Sequence, residues 1–284
     1  MKTYGNEDMS IVLTTQCRDD VGLIAKVTGL CFEHNLNIVR NNEFVDNAGE
    51  RFFMRTELTG TISETFLPQL RSALPDGAQV HLHGNEKTKV VLLATKEAHC
   101  LGGMLLKQYE NAFNVEIQAV IANYDTLKPL VEGFGVPFHL VSHQGLTREQ
   151  HDDAMAKVIE RYQPDFIGLA KYMRVLSPEF VARFSNQIIN IHHSFLPAFI
   201  GAKPYHQAFE RGVKIIGATA HFVNDELDEG PIIMQDITQV SHADSAEAMA
   251  KMGRDIEKVV FCKAIQLAAE HKLFINGNKT VVFA

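Results

Sequence analysis

Two rhythms of apolar and polar residues alternate along the first part of the chain. SIVLTTQ and AQVHLHG have the alternation of strands, whereas the apolar residues of DDVGLIAKVTGLCFEHN recur every three or four positions, as in an amphipathic helix. LNIVRNNEFVD and RFFMRTELTG are further strands joined by turn residues 46–49, and SETFLPQLRSAL is a second helix. The pattern predicts the order β-α-β-β-α-β, with Asp19 or Asp20 capping the first helix.

The rest of the chain follows a different pattern. After the polar segment GNEKTK, the apolar runs KVVLLAT, VEIQAVIAN, PFHLVSH, DFIGLAKY and QIINIHHS alternate with helical segments. Such runs are typical of a parallel sheet that helices cover on both faces. We therefore predict an α/β protein with two domains, 1–84 and 85–284, of which the second has a Rossmann-like, mainly parallel sheet.

The composition limits the kinds of partner that the chain is expected to bind. The 284 residues carry a net charge of -7, so the chain has no general attraction for nucleic acid or an anionic membrane. The N-terminus lacks an apolar run, and no segment approaches the ~20 apolar residues that span a bilayer. The four widely spaced cysteines favour neither a zinc knuckle nor a disulfide framework. We expect a cytoplasmic protein that binds neither nucleic acid nor membrane.

The segment NIHHSFLP places an amide and two imidazoles at the end of a predicted strand. In a strand, Asn190 and His192 share one face and His193 points to the other. Because ligands of parallel sheets bind beyond the carboxyl ends of strands, this position favours a functional site. The acidic loop NDELDEGP follows another predicted strand, GATAHFV, and contains Asp228. The alternative is that the histidines are hydrogen-bonded core residues and the loop is a solvated turn.

These side chains suit chemistry at a carbonyl carbon. The amide of Asn190 donates to a developing oxyanion, and His192 donates to the same oxygen or moves a proton near neutral pH. Asp228 holds the imidazole and positions water, while backbone flexibility at Gly230 lets the acidic loop approach. The sequence has no G-x-S-x-G elbow with a serine nucleophile, so water or an amine is the expected attacker.

A long segment, NIHHSFLPAFIGAKPYHQAFERGVKIIGATAHFVNDELDEGPII, closely resembles the formyltransferase-fold enzymes that use 10-formyltetrahydrofolate. In that family an Asn-x-His pair and a later Asp in an L-D-x-G-P loop form the catalytic trio, which the resemblance carries onto Asn190, His192 and Asp228. KEAHCL, AKPYHQA, GRDIEK and NGNKTVVF further resemble the formyltetrahydrofolate deformylases, and the N-terminal module resembles an ACT domain. The resemblance covers nearly the whole chain. Gly103 departs from it, because these enzymes often carry an acidic residue there.

The resemblance implies hydrolysis of 10-formyltetrahydrofolate to formate and tetrahydrofolate, feeding one-carbon metabolism and purine biosynthesis. Folate is then the substrate, and no cofactor is expected. Asn190 and His192 stabilise the tetrahedral oxyanion, Asp228 pairs with His192, and either of these last two carries the proton. The alternative is folate-dependent formyl transfer to an amine such as glycinamide ribonucleotide. Against it, KEAHCLGGMLL lacks the G-N-G-S-N type of phosphate loop that such transferases usually carry.

The same resemblance implies a slot for the folate. YMRVLSPEF matches the folate-side segment of the family, and backbone groups of the acidic loop are expected to read the pterin ring. The substrate-binding candidates are Met173, Arg174, Val175, Leu176, Glu226 and Leu227. Arg174 is alternatively an ordinary surface or salt-bridged arginine. His221 and Lys203 are weaker candidates, since a strand histidine and a solvated loop lysine explain them equally well.

A zinc site is a different-class alternative. His192, His206, His221 and Asp228 as ligands would make the chain a metallohydrolase. However, His192 and His193 are expected to face opposite sides, and none of the three histidines of this set lies in an H-x-H or H-E-x-x-H pattern. We therefore expect no metal.

The N-terminal module raises a role in ligand sensing or assembly. CRDDVGLIAKV resembles the ligand loop of ACT domains, which pair edge to edge and bind small amino acids, and this implies an effector site at Asp20, Val21 and Gly22. Alternatively, Gly22 only permits a tight turn between strand and helix, and the module only drives assembly. Glycine and methionine are reasonable effectors to test. We expect a homo-oligomer.

Overall fold

The structure, a computed structural model, describes residues 10–197 and 204–283. Contacts divide the chain into two units. The first unit comprises the described residues up to Glu86 with His271–Phe274 and residues 281–283, and the second comprises Lys87–Glu270 and Ile275–Thr280. The C-terminal residues thus contribute to both units. The assignment of 1–84 to regulation or assembly and of 85–284 to catalysis stays a prediction.

The first unit is a four-stranded antiparallel sheet with two helices. Its elements are β1 (Ile11–Arg18), α1 (Leu23–Glu33), β2 (Asn37–Asp46), β3 (Arg51–Thr59), α2 (Phe66–Ala73) and β4 (Gln79–His83). The strands lie in the order β2-β3-β1-β4. Apolar side chains of both helices and of the sheet share one core, in which Leu13, Val27, Met54 and Leu70 are fully buried. The predicted order of elements is confirmed and fits an ACT-like unit.

Helix α1 begins later than the sequence pattern indicates, at Leu23. Gly22 occupies its N-cap in a left-handed conformation with a φ of 81°, and no described side chain caps the helix. Asp20 instead accepts a hydrogen bond from the backbone of Val21 at 2.8 Å. Capping by Asp19 or Asp20 is therefore wrong, because the tight turn at Gly22 comes between both carboxylates and the first helical residue.

The second unit is built on a seven-stranded sheet. Its elements are β5 (Thr88–Ala94), α3 (His99–Tyr109), β6 (Val115–Ala122), α4 (Lys128–Gly133), β7 (Phe138–Leu140), α5 (Arg148–Ile159), β8 (Phe166–Ala170), α6 (Pro178–Arg183), β9 (Ile188–His192), α7 (Pro204–Arg211), β10 (Ile215–Phe222), β11 (Ile232–Gln239) and α8 (Ala246–Ala269). The strands lie in the order β11-β10-β9-β8-β5-β6-β7. The five strands from β9 to β7 run parallel, and β10 is antiparallel to both of its neighbours. The predicted α/β class with a mainly parallel sheet is confirmed.

The apolar pattern missed the last three strands. β11 is partly exposed at the edge of the sheet, and β12 (Leu273–Asn276) and β13 (Lys279–Val282) form a separate two-stranded hairpin. Most residues of these strands are only partly buried or exposed, so they lack the continuous apolar runs of the central strands.

Two neighbouring strands bring the functional segments together. β8 and β9 are adjacent and parallel, so residues 171–176 and 193–197 leave the sheet at the same edge. In β10, which returns antiparallel, His221 lies opposite Asn190. The acidic loop that follows begins beside β9, because the backbone of Val223 donates to the carbonyl oxygen of Ile188 at 2.9 Å.

Helix α8 covers one side of this part of the sheet. It packs on β9, β10 and β11 and contacts α3 and α7. Gly168 of β8 makes room for it, since a Cβ atom there would lie 2.7 Å from Cδ2 of Leu92 and 2.9 Å from Cζ of Phe261. None of the helices in the described ranges, including α8, combines the length and the apolar composition that a membrane span needs.

Replacing Gly168 by Ala is expected to lower the free energy of unfolding by about 1–3 kcal/mol, since the new methyl group overlaps Leu92 and Phe261. Gly102→Ala in α3 is the matched control, because its methyl group would meet no described atom within 4 Å. There, helix propensity predicts a gain of about 0.5–1 kcal/mol. Urea unfolding followed by circular dichroism measures both, and equal stabilities would contradict the packing of α8 on β8.

Candidate active site

Strand β9 positions Asn190 and His192, as the alternation of strand residues predicts. The Nδ2 atom of Asn190 lies 3.2 Å from Nε2 of His221, its partner across β10. Nδ1 of His221 lies 2.8 Å from the carbonyl oxygen of Phe222, which only accepts, so Nδ1 carries the hydrogen. In the neutral ring, Nε2 then accepts from Asn190. This contact fixes the orientation of the amide and leaves its second hydrogen for another acceptor.

The loop after β10 supplies the carboxylate of Asp228. Its Oδ2 lies 3.2 Å from Nδ1 of His192, and its Oδ1 lies 3.7 Å from Nε2 of His221. His192 is 6% exposed, and its Nε2 is buried with no hydrogen-bond partner among the described residues. We call Asn190, His192, His221 and Asp228 the polar cluster. Nε2 of His192 is its unpaired ring nitrogen.

Asp228 is ionised throughout the neutral pH range. Burial raises the pKa of its carboxyl group, but the hydrogen bond and charge of His192, and those of His221 when its ring is protonated, outweigh burial and hold this pKa well below its usual value. The Nδ1 hydrogen of His192 therefore points to a permanent anion. Nε2 on the other side of the ring donates when His192 is protonated and accepts when it is neutral.

Two backbone features hold the acidic loop in place. Asp228 adopts a left-handed conformation with a φ of 60°, which is uncommon for a residue other than glycine. Gly230 lies so close to β10 that a Cβ atom would overlap the carbonyl oxygen of Phe222. The requirement at Gly230 is thus the absence of a side chain at a close approach, rather than the backbone flexibility expected from the sequence.

A cavity of about 630 Å³ lies beside the polar cluster. Residues 172–176, which follow β8, and residues 223–228 of the acidic loop line it together with β9. All the predicted substrate-binding residues lie here, namely Met173, Arg174, Val175, Leu176, Glu226 and Leu227. Three of them, Met173, Val175 and Leu227, are apolar and yet exposed by 55%, 51% and 65%. Apolar walls beside a few polar groups are typical of small-molecule sites.

His193 lines the same cavity, and the expectation that it points away from His192 is wrong. β9 ends at His192, so the alternation of strand residues does not extend to His193. The two rings stack with their centroids 5.0 Å apart and their planes at 25°. The doubled histidine was the available signal, but the last residue of a strand is not readable from sequence.

The candidates His221 and His206 lie on different elements, β10 and α7. His221, a weak candidate by sequence, belongs to the polar cluster because the strand register puts it opposite Asn190. His206 is exposed on α7 and is not among the described residues that line the cavity. The four ligands of the zinc alternative are therefore not brought together. Lys203 lies outside the described residues.

The predicted effector residues lie in the first unit, in the turn between β1 and α1. Val21 is 91% exposed, and Gly22 takes the left-handed conformation at the start of α1. The carboxylate of Asp20 lies 3.8 Å from the ammonium group of Lys26. None of the three is among the described residues that line the cavity.

A second group of polar side chains surrounds Glu257 of α8. Its carboxylate lies 2.8 Å from Nε2 of His99, 3.1 Å from Nζ of Lys171 and 2.6 Å from the hydroxyl group of Tyr205, which donates. Burial raises the pKa of Glu257, but these three partners outweigh burial and lower it to about 2. We call these four residues the Glu257 cluster. The sequence did not reveal it, because its members are far apart along the chain.

Part of the Glu257 cluster has the arrangement of a metal site. The ligand atoms of His99, Cys100 and Glu257 lie close enough together to share an ion. Both oxygens of Glu257 are already bonded, however, and the ammonium group of Lys171 would repel a cation. Burial and the charge of Glu257 raise the pKa of Cys100, which disfavours the thiolate that binds metals. These residues do not fit a metal, and its expected absence stays a prediction.

Comparisons with known proteins agree with this fold. Residues 88–265 match the family model described as Formyl transferase, which is the class that the sheet and the polar cluster define. A formyltetrahydrofolate deformylase from Escherichia coli K12 is 60% identical over 272 residues, 95% of this chain and 97% of the relative. One from Bacillus subtilis is 40% identical over 286 residues, 98% and 95% of the two chains. The chain belongs to the formyltetrahydrofolate deformylase family.

Solved structures lead to the same family. The crystal structure of a formyltetrahydrofolate deformylase from Pseudomonas syringae has a TM-score of 0.93 and 37% identity, and the match covers 97% of this chain and 95% of that one. A glycinamide ribonucleotide transformylase from Symbiobacterium toebii has a TM-score of 0.68 and 30% identity, and covers 74% of this chain and 100% of its own. The family expected from the motifs is thereby confirmed.

Gly230→Ala is expected to lower turnover of 10-formyltetrahydrofolate at least about 100-fold, because the loop must move away from Phe222 and thereby separate Asp228 from His192. Gly133→Ala is the control, since its methyl group would meet no described atom within 4 Å. Formate release measures turnover, and circular dichroism checks the fold. A Gly230→Ala enzyme as active as the control would contradict the close approach of the loop.

Proposed function

We propose that the chain hydrolyses 10-formyltetrahydrofolate to formate and tetrahydrofolate, with folate as the substrate and no cofactor. The polar cluster beside the cavity carries this proposal: a ring nitrogen of His192 without a described partner, the oriented amide of Asn190 and the ionised carboxylate of Asp228. Full-length similarity to proteins named formyltetrahydrofolate deformylase supports the same reaction.

The polar cluster suits the addition of water to the formyl carbon. As this carbon becomes tetrahedral, its oxygen gains negative charge, which the amide of Asn190 and Nε2 of protonated His192 stabilise as donors. Loss of one such donor costs about 3–4 kcal/mol in the transition state. Asp228 orients His192 through Nδ1 and balances its charge. His221 is a positioning residue, because its Nε2 holds the amide of Asn190.

The leaving nitrogen, N10 of the folate, also needs a proton. The depressed pKa of Asp228 makes its carboxylate a weak base, so it is suited to hold a proton on His192 rather than to take one up. We therefore assign the proton that reaches N10 to His192. This proposal selects His192 from the two residues between which the sequence left the choice open.

The cavity walls suit a pterin ring. Met173, Val175 and Leu227 offer apolar surface that a flat ring would cover. Arg174 lines the same cavity and forms no ion pair with a described carboxylate, so it is free to face an anionic or carbonyl group of the substrate. Glu226 lines the cavity too, but its backbone N–H and carbonyl groups are bonded within the loop, to Asn224 at 3.2 Å and Glu229 at 3.3 Å.

Formyl transfer to an amine is the alternative, favoured by the similarity to glycinamide ribonucleotide transformylase over 74% of the chain. Phosphate groups commonly bind at a helix N-terminus that follows a parallel strand. Here that place, the start of α3, holds His99 between two carboxylates, with Glu257 at 2.8 Å and Glu97 at 3.6 Å. Two anions there disfavour a phosphorylated amine.

Purified protein incubated with 10-formyltetrahydrofolate alone is expected to release formate and tetrahydrofolate, and adding glycinamide ribonucleotide should not be required. Asp228→Asn is expected to keep the fold and lose at least about 100-fold in kcat, because His192 loses its anion. Asp255→Asn is the matched control, at an exposed position of α8. Turnover only in the presence of the amine would favour the transferase, and a fully active Asp228→Asn enzyme would remove Asp228 from the mechanism.

We also propose that the first unit binds a small amino acid at Asp20, Val21 and Gly22 and assembles the chain into a homo-oligomer in the cytoplasm. The exposed Val21 and the left-handed Gly22 support a ligand loop, and the four free, buried cysteines suit a reducing compartment. A supply of tetrahydrofolate and formate to one-carbon and purine metabolism would follow from the reaction.

Glycine and methionine are the effectors to test. An effector at this turn is expected to bind the wild-type protein in isothermal titration and to bind Gly22→Val more weakly, because a β-branched residue is strained at a φ of 81°. Formate release and sedimentation of the same samples report effects on activity and assembly. Equal binding by both proteins would place the effector elsewhere.

A further inference from the structure

Hydrolysis also needs a group that receives the proton of the attacking water. His192 stabilises the oxyanion as a protonated donor, so it has no free lone pair in that state. The two oxygens of Asp228 already face His192 and His221, so neither is directed at the attacking water. Asn190 has no basic group. The polar cluster therefore orients and stabilises, but it does not supply an acceptor.

His193 is a further titratable side chain that lines the cavity, and it follows His192 directly in the chain. It stacks on His192 at 5.0 Å. Neither of its ring nitrogens has a hydrogen-bond partner among the described residues, and its exposure is intermediate. A neutral imidazole in this position offers a lone pair next to the donors that hold the oxyanion.

The surroundings of His193 keep its ring uncharged. Burial lowers the pKa of His193 to about 4, and the charges of Lys171 and His192 act in the same direction, against the smaller opposing effects of Glu257 and Asp228. Lys171 is itself fixed by Glu257 at 3.1 Å. The remaining titratable neighbour, Tyr205 of α7, has its ring 6.5 Å from that of His193 and gives its hydroxyl hydrogen to Glu257. The Glu257 cluster thus holds a cation beside His193.

We propose that His193 is a catalytic residue, which accepts a hydrogen bond from the attacking water and takes up its proton. This inference rests on the proposed hydrolysis. The water oxygen forms the new bond to the formyl carbon, the electron pair of the carbonyl bond moves to the oxygen held by Asn190 and His192, and a water proton moves to His193. The bond between carbon and N10 then breaks while His192 gives its proton to N10. His193 returns its proton to His192 through solvent, and the formic acid ionises.

A series of substitutions separates this role from packing. His193→Phe keeps an aromatic ring to stack on His192 but has no ring nitrogen, and His193→Ala removes the ring altogether. Both variants are expected to lose about 100-fold or more in kcat with KM changed less than about threefold, because a proton acceptor acts in the transition state rather than in binding. Added imidazole is expected to restore part of the rate of His193→Ala and none of that of His193→Phe.

An assay of the wild-type enzyme distinguishes failure of this proposal from failure of the proposed hydrolysis. The wild-type enzyme is assayed first for formate release without an amine, and absence of formate would remove the hydrolysis and this inference with it. His206→Gln, an exposed histidine of α7, is the control and should match the wild type. If His193→Phe retains wild-type kcat, the ring acts only by stacking and the proposal fails.

A milder variant and a folding check separate loss of the base from loss of structure. His193→Gln is the milder variant, which keeps an acceptor oxygen but no base, and it should still lose at least about tenfold in kcat. Circular dichroism shows which variants fold, and the folded ones decide. A fall in kcat with an equal rise in KM, or an absence of rescue by imidazole in folded His193→Ala, would show a structural role and overturn the assignment.

Discussion

The antiparallel register between β9 and β10 is the constraint on which the site depends. It puts His221 opposite Asn190, and a shift by one residue would turn His221 to the other face of the sheet. Thr219 of the same strand donates to the carbonyl oxygen of Ser194 at 2.9 Å and accepts from the backbone of Leu196 at 3.1 Å. One strand pairing therefore orients the amide and also holds the turn that follows the two histidines.

The local pattern of apolar and polar residues was sufficient to predict most of the fold. The central strands are apolar throughout and the helices have clear periodicity, so the order of elements and the mainly parallel sheet follow from residue types. β11 was missed because it is an edge strand with an exposed, mixed sequence. The start of α1 was misplaced because the choice between Asp20 and Gly22 depends on backbone conformation, which residue type alone does not determine.

Within the candidate site, the sequence predicted the polar residues but not the side chains that they contact. Asn190, His192 and Asp228 stand in a recognisable motif, yet the part that His221 plays depends on strand register. The Glu257 cluster joins residues from α3, β8, α7 and α8, so only the folded chain brings them together. His193 was assigned to the wrong side because β9 ends at His192, so the alternation of side chains along a strand does not apply to the next residue.

The division of the C-terminal hairpin between the two units has a consequence for biosynthesis. Arg55, which is 4% exposed on β3, donates from Nε to the carbonyl oxygen of His271 at 3.1 Å, and the buried ring of Phe53 lies 5.7 Å from that of Phe274. These partners are synthesised long after β3, because His271 lies 216 residues after Arg55. The N-terminal unit therefore reaches its final packing only after His271–Phe274 have been synthesised, and the usual order in which N-terminal units fold first does not apply to it in full.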